Sequence, residues 1–152
     1  MKKLLLLLDE MEQHSMHCDK IHTSTSQAMV GWHLQHSLLV ITQIVARLKK
    51  SDPEAYKWRF NLARTFVYLS GRIPRGKGKA PEIVIPKGEI NAMEISAGFL
   101  EARKIIVEFN TLHPNNYIKH PYFGDLNVKQ VKTFLLLHTN HHLKIIKDII
   151  KQ

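Results

Sequence analysis

The stretch Asn127–Gln152, NVKQVKTFLLLHTNHHLKIIKDIIKQ, decides the fold. On a helix of about 3.6 residues per turn, Val131, Phe134, Leu135, His138, His142, Ile145 and Ile149 share one face. A face that apolar belongs in a core, yet two imidazoles sit in the middle of it. His138 and His142 are four residues apart, so their rings project from the same side of successive turns. A neutral imidazole in an apolar seam costs free energy unless both nitrogens find partners. A shared divalent metal is the economical partner; hydrogen-bonded core histidines are the bland alternative.

Working outward, the chain reads as further helices able to close a core around that face. The first helix is expected from Lys2 to about Ile21, with Leu4, Leu8, Met11, Ser15 and Cys18 in step. Cys18 reads there as a small core residue rather than a nucleophile. The polar run His22–Ser26 makes a turn. A second helix follows from about Gln27 to Lys50, with the stripe Val30, Leu34, Leu38, Ile41, Val45 and Leu48. Asp52 and Pro53 have the chemistry of an N-cap and first helical residue. They open a third helix whose apolar face is Trp58, Leu62, Phe66 and Leu69. The fourth runs from about Glu89 to Leu112 through Ile95, Phe99, Ala102, Ile106 and Phe109, and is stopped at His113-Pro114. Asn127 caps the last. No strand is expected, apart from a short extended piece at Ile83-Val84-Ile85.

At 152 residues and 44% apolar, the chain is expected to be a single globular domain spanning 1–152. The balance of 22 Lys and Arg against 13 Asp and Glu leaves +9. Those cations are scattered over several segments, which disfavours nucleic acid as a partner. One cysteine excludes an internal disulfide and fits a reducing compartment. The apolar run Leu4–Leu8 ends at Asp9-Glu10, too short for a signal peptide, and nothing approaches a membrane span of about 20 residues. A cytoplasmic location is the expectation.

The one long irregular stretch is 71–88, where Arg72, Arg75, Lys77 and Lys79 lie among glycines and prolines. Gly71 to Gly78 nearly spells a phosphate-binding loop. Gly78 stands where Ser or Thr would hold magnesium, Pro74 interrupts it, and a helix precedes it, so that reading fails. The stretch is a solvated basic loop or, more sharply, a lid or anion clamp beside a pocket.

Of ten histidines, His14, His17 and His22 read as surface groups, and His113 and His120 precede prolines in loops. A metal on His138 and His142 needs a third ligand. Trp32-His33-Leu34-Gln35-His36 offers two candidates: the stripe of the second helix favours His33, while a helix apolar nearly all round also lets His36 face inward. No Glu follows His138 in a zinc-protease pattern, and no carboxylate completes an iron site of two histidines and one carboxylate, short of Asp125 or a distant Glu folding in. A three-imidazole site with open positions is the simplest chemistry left.

Taken together, Gly31–Leu38, Ile73–Pro81, His120–Leu126 and above all His138-Thr139-Asn140-His141-His142-Leu143 resemble, in order, the DinB/YfiT-like superfamily. The resemblance implies an all-α, up-down-up-down four-helix bundle, here with an extra helix and a long basic Gly/Pro loop. It implies a divalent metal, zinc or nickel, on His36, His138 and His142, with His141 beside the site. It further implies a homodimer. By the same resemblance the activity is that of a thiol S-transferase-like enzyme acting with a small thiol; a non-catalytic metal-binding or stress-related protein is the alternative.

Overall fold

The computed structural model describes residues 1–76 and 78–152; Lys77, one of the four basic residues noted in the loop, lies outside them. The described chain is mostly helical. Helix α1 (Lys2–Gln13) buries Leu4, Leu8 and Met11, as its spacing predicts, but stops eight residues before Ile21. The Ser15 hydroxyl donates to the Glu12 carbonyl, competing for an acceptor that a continuing helix would use. The chain tightens there into a single 3-10 turn, Ser15–His17.

Helix α2 (Val30–Lys50) is buried almost all round. No side chain caps it. Its first N–H groups are satisfied instead by the chain before it: Val30 donates to the Lys20 carbonyl and Gly31 to that of Cys18, each at 2.9 Å. That approach requires glycine. A Cβ on Gly31 would lie 2.4 Å from Cγ2 of Ile90 and 2.9 Å from the Cys18 oxygen.

The third helix departs most from expectation. Asp52 does cap a turn at Pro53, but only a 3-10 turn (Pro53–Ala55) forms before the chain becomes irregular. Helix α3 (Leu62–Ser70) starts afresh at Asn61, whose side chain accepts from the Arg64 N–H. Its expected apolar face, with Trp58, Leu62, Phe66 and Leu69, is exposed; the buried residues are Arg64 and Val67. Among the described residues Arg64 meets no carboxylate. Its guanidinium donates to the carbonyls of Arg59, Phe123 and Asp125, pinning α3 to the segment that follows α4.

Helix α4 (Ala92–Val107), capped by Asn91, buries Ile95, Phe99, Ala102 and Ile106 as its stripe predicts, and ends in a 3-10 turn at Glu108–Asn110. Beyond it lies an unexpected antiparallel hairpin, β1 (Tyr117–His120) and β2 (Gly124–Asn127), with Ile118 opposite Leu126. The extended piece expected at 83–85 is mainly a 3-10 turn, Glu82–Val84. Helix α5 (Val128–Ile150) opens with a full capping box between Asn127 and Gln130.

Helix α2 packs on both α4 and α5, and α1 packs on α5 and α4. The core lies among these four, and the hairpin and the Glu82–Val84 turn lean on α2. None of the described helices is long and apolar enough to cross a membrane. Replacing Arg64 with Ala leaves three carbonyls without their donor and is expected to cost about 2–4 kcal/mol. Thermal unfolding followed by circular dichroism should then show Tm lowered by roughly 10 °C.

Candidate metal centre

Two helices that are distant in sequence bring the histidines together. Helix α2 contributes His33 and His36 and helix α5 contributes His138, His141 and His142. The ring centroids of His36, His138 and His142 are 5.1, 4.8 and 4.5 Å apart pairwise. One nitrogen from each ring lies within 4.8 Å of the other two, close enough to hold one metal ion after a small inward movement of the rings. This three-residue cluster contains no carboxylate and no thiol: Asp125 and Cys18 lie outside it.

The hydrogen bonds around the rings decide which nitrogens remain open. His36 donates its Nδ1 hydrogen to the Val84 carbonyl at 2.7 Å, leaving Nε2 with a free lone pair. Trp32 stacks on the same ring, 4.8 Å away and 14° from parallel. The Nδ1 atoms of His33 and His142 face each other at 2.9 Å, so one carries hydrogen and the other does not. His33 Nε2 in turn lies 2.9 Å from the Ser26 hydroxyl. If His142 is the donor, its Nε2 lone pair is free and His33 donates onward to Ser26. The three bonds are then mutually consistent with two imidazoles aimed inward as neutral ligands.

His138 differs. Neither of its nitrogens makes a hydrogen bond among the described residues, and its Nδ1 is buried. A buried imidazole nitrogen without a partner is costly to folding. A cation shared with His36 and His142 would relieve that cost, and three neutral imidazoles are a donor set that can hold a divalent transition metal.

Burial also fixes the charge state. It pushes His138 and His142 well below the ordinary histidine range, an effect reinforced by the neighbouring imidazoles. His36 is lowered by burial against the opposing pull of the Val84 carbonyl. His33 and His141 fall to about 4, first through burial and then through nearby positive groups, and His120 falls to about 4 through burial alone. All six rings are neutral at pH 7, the form a metal needs.

The cluster lies on the wall of a cavity of about 820 Å³, between α2, α5, the loop 73–85 and the hairpin. His33, the alternative third ligand, is instead the hydrogen-bond partner of His142. His120, which reads in the sequence as a loop residue, is on β1, stacks on Phe123 at 4.5 Å and lines the cavity. The loop expected as a lid contributes Arg75 and Lys79 to that wall, and Arg75 is ion-paired with Asp148 of α5. Arg72 is exposed and does not line it.

No protein-family model, curated protein or solved structure matches the chain.

With their folded pKa values depressed, these histidines stay neutral while the unfolded chain takes up protons below about pH 6.5. Stability is therefore full above that pH and falls as the pH drops toward 4. Each ring that resists protonation removes about 1.4 kcal/mol per pH unit within its window. Urea unfolding of metal-free protein should show the midpoint falling between pH 7 and pH 5, and His120→Leu should make that fall shallower.

Proposed function

We propose that this chain is a DinB/YfiT-like four-helix bundle that carries a single divalent ion, zinc or nickel, on His36, His138 and His142. In this reading α1, α2, α4 and α5 are the up-down-up-down bundle, and α3 with the loop 71–88 is the addition to it. The observation that carries the metal assignment is the buried Nδ1 of the half-buried His138, which has no hydrogen-bond partner among the described residues and stands within reach of two neutral imidazoles.

The reaction we propose is thiol S-transfer: a small thiol joined to an electrophile. Held by His36, His138 and His142, such an ion would supply Lewis acidity that favours the thiolate form of a small thiol, the competent nucleophile, with the thiol proton passing to solvent. The remaining work belongs to the chain. The Val84 carbonyl fixes the orientation of His36, and His33 with Ser26 fixes that of His142. Three protein ligands, rather than four, fit a reactive site better than a structural one.

The homodimer has a surface to use. Trp58, Phe60, Leu62, Phe66 and Leu69 are each at least 63% exposed, an apolar stripe of the kind that marks association. Phe66→Glu with Leu69→Glu should yield monomers in sedimentation velocity while metal content stays unchanged.

The decisive experiment is elemental analysis of untagged protein beside the His138→Ala, His142→Ala double variant. About one equivalent of zinc or nickel is expected in the wild type and none in the variant. The loaded protein should then accelerate addition of a small thiol to an electrophile, and the variant should not. Tight loading without turnover would favour a sequestering protein, and a wild type that stays empty after soaking would leave the histidines structural.

A further inference from the structure

The cavity is larger than a small thiol requires, and its wall is chemically one-sided. At about 820 Å³ it falls near the upper end of small-molecule sites. Arg47, Arg75, Lys79 and Lys119 line it, and among the described residues no Asp or Glu does, in a chain with 13 of them. Its interior is otherwise mostly aliphatic and aromatic. Ile83 and Ile85, 45% and 38% exposed, stand on its wall as apolar side chains awaiting a cover.

The cavity also has a direction. His36, Val40, Ile44 and Arg47 all line it and recur on one face of α2 at intervals of four, four and three. Eleven residues of helix separate His36 from Arg47, roughly 16 Å along the axis. Histidines mark one end of this track, two aliphatic residues its middle and a guanidinium its far end. Arg75 is taken by Asp148, whereas Arg47 is in no ion pair among the described residues. Arginine presents a planar fork suited to a carboxylate.

We propose that the cavity binds a long, mostly apolar monocarboxylate, its chain along Val40 and Ile44, its carboxylate at Arg47 and its other end at the histidines. The orientation rests on reading the histidines as the reacting end; occupancy of the track does not require a metal. A substrate built this way would bring a thiol or an electrophilic carbon to the site while its charge stays three helical turns away. Its long apolar part would cover the exposed isoleucines.

The test is calorimetric titration of the full chain in a chelator with hexanoate, octanoate, decanoate and the uncharged decan-1-ol. A Trp58→Phe background allows Trp32, which lines the cavity, to report binding by fluorescence as the only tryptophan left of two. Affinity should rise about fourfold per added methylene. Arg47→Ala should weaken decanoate about tenfold, leave decan-1-ol unchanged, and leave zinc content at the wild-type level. Equal binding of acid and alcohol by the wild type, a decanoate affinity indifferent to Arg47→Ala, or no binding of decanoate would each overturn the proposal. Because ligand is titrated without metal and zinc is measured separately, a protein that binds decanoate but no zinc refutes the metal reading alone. One that binds zinc but no decanoate refutes only this one.

Discussion

The structure depends on holding four imidazoles neutral in the seam between α2 and α5. His33, His36 and His142 are each 7% exposed or less, and His138 has a fully buried nitrogen. Charged rings there would forfeit hydration with no anion to repay them, so the seam is built to keep them uncharged and bonded. Each partner comes from a different irregular segment. Val84 reaches His36 from the Glu82–Val84 turn, and Ser26 reaches His33 from the chain ahead of α2. These segments are the walls of the cavity, so satisfying the histidines and shaping the pocket are one operation. His138 alone is left out of it.

The helices around that seam were legible because their apolar residues recur every three or four positions. The stripes of α2 and α4 read from the sequence are buried, as is that of α5 apart from the half-buried His138, and Asn127 does cap the last helix. Choosing between His33 and His36 was harder. A helical wheel places a residue relative to one buried face, and α2 has contacts on two sides, with α4 and with α5. Both rings are therefore buried, with His36 among the three-ring cluster and His33 bonded to His142. The separate roles depend on ring orientation across a helix pair, which spacing along one helix does not encode.

Other features were illegible for local reasons. The early end of α1 has no glycine or proline to mark it, and the hairpin has strands of four residues, too short to show alternation. His120 therefore looked like a loop residue before a proline. The face of α3 misled for a different reason. Trp58, Leu62, Phe66 and Leu69 have the spacing of a core stripe, but periodicity reports an apolar face, not what covers it. Among the described residues nothing covers it, and the helix is held from its other side by Arg64 and three carbonyls.

The charges of the cavity give the two proposed ligands a common logic. A divalent ion on the histidines would face a wall holding four exposed basic side chains, of which Arg75 is ion-paired with Asp148, and no described acidic one, a mildly unfavourable field screened by solvent. An anionic ligand in the same cavity would neutralise part of that field. Thermodynamic reciprocity then requires that whatever factor the anion adds to metal affinity, the metal adds to anion affinity. Neutral imidazoles take no side in this exchange, since they carry no charge for the cationic wall to repel while the site is empty. A cluster of carboxylates would bind the ion more strongly but would also repel the anion. Three histidines within a cationic cavity therefore make chemical sense as a site for two ligands of opposite sign, each favouring the other.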